Sequence, residues 1–136
     1  MQIVWPSSKA AAQAGRAENE VKLLAATKMN DAQRVRQAIA AGVDICGENR
    51  VQELQEKNAQ GAYEGCPLHF IGHLQKNKAK FLVGTVELIH SVDSVELMQT
   101  IDRLARQKAL VQDILVEVNI GGEEAKSGIV PEAADE

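Results

Sequence analysis

Lys28 closes the short apolar run Leu23-Leu24-Ala25-Ala26-Thr27. The run carries no helical stripe and suits a strand buried on both faces, as in a parallel sheet. Asn30-Asp31 follows and reads as a helix start. Lys28 therefore falls where a buried strand gives way to a helix, the end at which parallel α/β folds build their sites. An ammonium with a low-dielectric wall behind it loses part of its preference for charge. The neutral amine is then a nucleophile toward carbonyls. The competing reading is a solvated lysine at a strand end.

Further polar residues close the other apolar runs: Glu48-Asn49, His73, His90-Ser91 and Asn119. Strand–helix alternation places all of them, with Lys28, on one rim of a sheet. A lysine ringed by short polar residues suits a carbonyl- or cofactor-binding rim. Asn49 also reads as an N-cap, with Gln52 at the capping-box position, and capping leaves its amide donors free for a ligand. His90 has a bland alternative as a satisfied strand-end histidine, and Lys126 reads as exposed in a loop. His69 and His73 are four apart, but Phe70-Ile71-Gly72 between them reads as strand, so they share no helix face. The glutamate of the helical metalloprotease motif is also missing, and no metal site is expected. No Ser/His/Asp order and no paired carboxylates at matched strand ends support a hydrolase. Cys46 and Cys66 match no zinc or redox spacing and read as reduced thiols of a cytosolic protein.

The elements that must carry these residues follow a regular order. A helix capped by Ser7 or Ser8 runs through the alanine-rich start toward Asn19, weakened at Gly15. Strands are expected at 21–27, 43–47, 68–72, 86–90 and 114–119. Helices are expected between them: from an Asn30 cap to Gly42, from Val51 to Gly61, from Gln75 to Val83, and from an Asp93 cap through Leu97, Met98, Ile101, Leu104 and Ala105. Pro131 reads as the first residue of a further helix. Repeated βα units imply a parallel sheet. Thr27-Lys28-Met29-Asn30 contains no glycine, which disfavours a nucleotide-binding doubly wound sheet and favours a β/α barrel.

A length of 136 residues fits one domain with a real core. The net charge of −4 argues against general nucleic-acid binding, and the Lys76, Lys78 and Lys80 cluster reads as a solvated helix face. No apolar run approaches the roughly 18 residues of a membrane helix, and Met1 to Pro6 lacks the regions of a signal peptide.

Several stretches together resemble the pyridoxal phosphate homeostasis proteins (the YggS/PROSC family). Leu23-Leu24-Ala25-Ala26-Thr27-Lys28 is similar to that family's Leu-Leu-Ala-Val-Ser-Lys segment. Gly47-Glu48-Asn49-Arg50-Val51-Gln52-Glu53 resembles its Gly-Glu-Asn-Tyr-Val-Gln-Glu motif. His69-Phe70-Ile71-Gly72-His73-Leu74-Gln75-Lys76-Asn77-Lys78 is similar to its His-Phe-Ile-Gly-x-Leu-Gln-x-Asn-Lys signature. Residues 89–94 and 118–128 match as well, in family order, so the resemblance covers about 21–129.

The resemblance implies a parallel TIM-like (β/α) barrel of the alanine racemase N-terminal type, with only about the first five strands present. It implies pyridoxal 5′-phosphate as cofactor, carried on Lys28 as a Schiff base, with Asn49 beside it. It implies cytoplasmic cofactor homeostasis and carriage without turnover. The partners implied are the cofactor itself and pyridoxal-phosphate-dependent apoenzymes, with no nucleic acid and no membrane. A racemase-like enzyme on the same barrel and an inert fragment are the alternatives. Two departures stand out. The Ser-Lys-Thr-Lys-Pro of many members is Thr27-Lys28-Met29-Asn30-Asp31 here. The serine, glycine and threonine groups that hold the phosphate in the family belong to a later segment, so the chain reads as truncated. The expected organisation is a single partial barrel domain over 1–136: an N-terminal helical segment at 1–20, family-matching βα units at 21–129, and the start of an incomplete helix at 130–136.

Overall fold

The computed structural model describes residues 6–124 and 126–134. Five parallel strands lie in one sheet in sequence order. They are β1 (Leu24–Ala26), β2 (Ile45–Glu48), β3 (Leu68–Phe70), β4 (Leu88–Val92) and β5 (Asp113–Val116). The helices α1 (Pro6–Gln13), α2 (Ala32–Ala40), α3 (Val51–Ala59), α4 (Ala79–Leu82) and α5 (Val95–Gln107) precede β1 and connect the strands. Each strand pairs with the next through a helical crossover, the arrangement of a β/α barrel interrupted after its fifth strand.

The sheet has two unlike faces, set by the period of two along each strand. Cys46, Phe70 and Ile89 point toward the helices and are fully buried. They pack with Leu54 of α3, Leu82 of α4, and Leu97 and Ile101 of α5. Burying each large apolar side chain contributes about 1.5–3 kcal/mol. The opposite face carries the row Ala26, Gly47, His69 and Leu88, joined by register. Ala26 is exposed there and Leu88 half-buried.

Local chemistry moves several boundaries. α1 ends at Gln13, short of Asn19, and Gly15 beyond it takes a left-handed φ of 74°. Asp31, not Asn30, caps α2, its carboxylate accepting from the Arg34 N–H at 2.8 Å. Ser94, not Asp93, caps α5, its hydroxyl oxygen accepting from the Leu97 N–H at 3.2 Å. The expected 75–83 helix opens as a 3₁₀ turn over Lys76–Lys78 before α4. β5 is shorter than 114–119. Beyond it, Val118 bridges Ile129 in an isolated pair. Pro131–Ala134 forms a 3₁₀ turn where a helix was expected. The N-terminal stretch to Trp5, Ala125, and the last two residues of the expected 130–136 segment lie outside the described residues.

Gly72 lies against the Asn49 backbone, where the ends of β2 and β3 meet. A Cβ there would lie 2.0 Å from the Asn49 carbonyl oxygen and 2.6 Å from its Cα. Both neighbours are backbone, so neither can rotate away. Gly72→Ala is expected to cost about 3 kcal/mol and to lower the urea midpoint accordingly. An unchanged midpoint would show that the two strand ends are free to separate.

Candidate functional site

The loop after β1 presents Lys28. Its side chain is exposed and joins no hydrogen bond or ion pair among the described residues. The expected low-dielectric setting is not met, because Ala26, two residues back at the end of β1, is itself exposed. The backbone on either side of Lys28 is fixed. Lys57 Nζ donates to the Thr27 carbonyl oxygen at 2.7 Å, and the Met29 N–H donates to Glu53 Oε1 at 2.6 Å. Met29 has a left-handed φ of 60°, so the chain turns sharply after the lysine. One turn of α3 thus holds the residue before Lys28 and the residue after it.

That grip depends on a buried polar cluster. Glu48 points from β2 into the helix layer, not onto the rim, because Gly47 and Asn49 on either side of it take the other face. Its Oε1 accepts from Thr27 Oγ1 at 2.6 Å, Tyr63 Oη at 2.7 Å and Lys57 Nζ at 2.8 Å. Lys57 also pairs with Glu53 at 2.7 Å. Its three ammonium protons therefore meet three acceptors: Glu48, Glu53 and the Thr27 carbonyl. Burial opposes the Lys57 charge, but the hydrogen bonds to Glu48 and Glu53 outweigh it and raise its pKa. The hydrogen bond from Lys57 lowers the pKa of Glu53. Burial first, then the Glu48 contact, push the Tyr63 phenol far above its usual range, which keeps it a donor.

Asn49 does not cap α3; Arg50 occupies that position without a side-chain cap. The Asn49 Oδ1 atom is buried and without a partner among the described residues. A cleft of about 360 Å³ opens beside it, lined in part by Gln52, His73 and Lys78. The rim is tied across three strands at this level. The Ile71 N–H donates to the Glu48 carbonyl at 2.8 Å, and Ser91 Oγ donates to the Gly72 carbonyl.

The remaining candidates separate. His73 is largely exposed and stands 3.5 Å from Asp93. Asn119 Nδ2 donates to the Glu123 carbonyl at 2.9 Å, and Lys126 pairs with Glu123 at 3.1 Å. His69 lies near His90 rather than His73, with Nδ1 and Nε2 2.9 Å apart. Burial holds both imidazoles below the usual value; Glu87 partly opposes this for His69, and His69 adds to it for His90.

Sequence reading missed Glu53, Lys57 and Tyr63, and it missed the approach of Cys46 to Cys66, whose sulfurs are 3.6 Å apart. A signal for Lys57 was present: it lies four residues after Glu53 and one turn beyond Leu54, on the buried stripe of α3.

Residues 8–136 match the model of the alanine racemase N-terminal domain. The chain belongs to that family. The pyridoxal phosphate homeostasis protein of Aquifex aeolicus is 46% identical over 124 residues, which are 91% of this chain and 54% of the relative. The protein of the same name from Pseudomonas aeruginosa is 37% identical over 124 residues, with the same shares of the two chains. The chain spans about half the length of these curated relatives. Among solved structures, PipY of Synechococcus elongatus without PLP aligns with a TM-score of 0.78 and 32% identity, over 95% of this chain and 60% of that one. PipY with PLP bound aligns with a TM-score of 0.75 and 32% identity, over 93% and 58%. The resemblance carried by the sequence motifs and the partial barrel are both upheld.

Two predictions follow from the buried groups. Lys57→Met leaves the Glu48 carboxylate buried without its cation and is expected to cost about 3–5 kcal/mol. The double variant Glu48→Leu/Lys57→Met should recover much of that loss in urea denaturation. The second concerns pH. Both histidines hold their protons less tightly folded than unfolded, so the unfolded chain binds more protons near their ordinary pKa of 6.5. Stability is therefore full above that pH and falls as pH drops through it. His90→Gln should flatten the slope of the denaturation midpoint between pH 7.5 and about 5.

Proposed function

We propose that this chain binds pyridoxal 5′-phosphate through an imine on Lys28, with Asn49 beside the ligand. In this reading it serves intracellular cofactor homeostasis and carriage, with no turnover of its own. The observation that carries the proposal is an exposed amine at the C-terminal edge of a parallel sheet, without a partner among the described residues, its flanking backbone fixed by Glu53 and Lys57. The second support is the orphaned Asn49 Oδ1, a buried acceptor that suits a ligand donor such as a hydroxyl or a protonated ring nitrogen. The third is kinship: relatives named for pyridoxal phosphate homeostasis and a PLP-bound structural neighbour share this half of the fold.

The cofactor supplies an aldehyde carbon, an electrophile for a primary amine. The protein's part is to present that amine. Lys28 Nζ forms the C=N bond, and the carbonyl oxygen leaves as water. The Glu53 and Lys57 contacts limit the orientations of the loop, so less freedom is lost on condensation. Asn49 contributes one hydrogen bond to a ligand already held covalently. Pyridoxal-phosphate-dependent apoenzymes are the proposed recipients. A racemase needs a second acid or base on the opposite cofactor face, and nothing in the geometry favours that reading.

Titration of the purified chain with pyridoxal phosphate should develop imine absorbance that Lys28→Ala abolishes. Borohydride reduction followed by peptide mapping should place the label on Lys28. Asn49→Ala should weaken binding about tenfold, as expected for one lost hydrogen bond to a buried acceptor. Label scattered over surface lysines, with Lys28→Ala indistinguishable from the parent, would sink the proposal.

A further inference from the structure

The two thiols are far apart in sequence and adjacent in space. Cys46 lies on β2, fully buried, facing the helix layer. Cys66 precedes β3. The Cys46 N–H donates to the Pro67 carbonyl at 2.9 Å, so the Cys46 backbone runs alongside the residue that follows Cys66. The register pairs Cys46 with Leu68, two residues beyond Cys66, so closing a bond draws the segment before β3 toward β2. The sulfurs lie 3.6 Å apart and need to approach by about 1.5 Å to reach bonding distance. Cys66 also has access to solvent. It lines an open cleft of about 460 Å³ together with Asn58, Gly61, Tyr63, Glu64 and Thr85.

We infer that Cys46 and Cys66 form a reversible oxidation site, in which a peroxide entering the cleft converts the pair to an intramolecular disulfide. The step balances with one peroxide. Cys66 Sγ attacks a peroxide oxygen, giving a sulfenic acid and one water. Cys46 Sγ then attacks the oxidised sulfur, the S–S bond forms, and the hydroxyl leaves as a second water. The two thiols give up two electrons and the peroxide takes them. Burial and the neighbouring Cys66 push the Cys46 thiol up to about 12, which suits it to the second step, as the resolving thiol, rather than to the first attack on peroxide. The bond would enclose the stretch from Cys46 to Cys66, which carries Glu48, Asn49, Glu53, Lys57 and Tyr63. Oxidation would therefore lock together the residues that hold the Lys28 loop, a stabilising constraint on the unfolded chain.

The test uses the whole chain without any ligand, so its outcome is independent of cofactor binding. Protein is treated with hydrogen peroxide, then denatured and alkylated with N-ethylmaleimide. The expected product carries no alkyl group and yields one non-reduced tryptic pair, Gln37–Arg50 linked to Asn58–Lys76. Dithiothreitol restores two alkylation sites. The oxidised form should unfold at higher urea than the reduced form. Cys46→Ser and Cys66→Ser should each remove the linked pair, and Cys66→Ser, at the more exposed position, serves if the buried substitution fails to fold. Two alkylated thiols after peroxide, Cys66 driven to sulfinic acid beside a free Cys46, a link between two chains, or an oxidised form no harder to unfold would each overturn the inference.

Discussion

Three acceptors converge on the ammonium of Lys57, and the placement of Lys28 depends on that convergence. The acceptors come from three parts of the chain: the tip of β1, the end of β2 and the first turn of α3. A buried ammonium is tolerated only when its protons are matched, and here they are. The alternative, a free charge in the helix layer, would cost more than any single apolar contact nearby supplies. The arrangement therefore gives position rather than net stability. It fixes how far α3 slides along the strands, and through Glu53 it fixes where the β1 loop turns. Lys28 needs no contact of its own to be positioned, because its neighbours are held.

The sheet divides the work between its faces. The helix side carries the apolar core and the polar cluster of Glu48, Lys57, Thr27 and Tyr63, all of them buried. The other side carries small residues, Ala26 and Gly47, next to the histidine pair. The absent Gly47 side chain leaves space taken by Leu24 and Ile71, whose atoms would lie 2.6 and 3.0 Å from a Cβ there. The histidines lie within the row of Ala26 and Gly47 and just above it; one neutral ring must accept the other's proton, so the pair is consistent only with an unprotonated partner.

The order of elements was legible because strand runs end in polar residues such as Lys28, Glu48-Asn49 and Asn119 and helices carry an apolar stripe. Leu97, Ile101 and Ala105 of α5 show it plainly: all three are buried on one side. Caps were misplaced by one residue at α2, α3 and α5. At α2 and α5 two polar residues stood in a row, and only the turn of the backbone decides which one faces the free N–H groups; at α3 the position falls to Arg50, whose side chain has no acceptor. The helix-layer cluster was legible only in part. The spacing of Lys57 from Glu53 and Leu54 marks it as facing inward, but nothing local in Val51–Ala59 shows that a glutamate nine residues earlier points toward it. The Cys46–Cys66 approach was hidden for a related reason. It depends on the β2–β3 register, which sequence spacing alone does not set.

The triplet Gly47-Glu48-Asn49 shows how one strand end can serve three purposes. Successive residues face opposite sides of the sheet, so Glu48 and Asn49 cannot both sit on the rim. Glu48 goes to the helix layer and gathers Thr27, Lys57 and Tyr63. Asn49 goes the other way, where Gly72 presses against its backbone and its amide oxygen has no partner among the described residues. Gly47 keeps the open face low. Exchanging Glu48 and Asn49 would put a carboxylate at the rim and a neutral amide against a buried ammonium, failing on both sides of the sheet. The order of the three residues is therefore fixed by electrostatics in the helix layer as firmly as by any ligand at the rim. A motif read only for its ligand contacts would assign the glutamate to the wrong face.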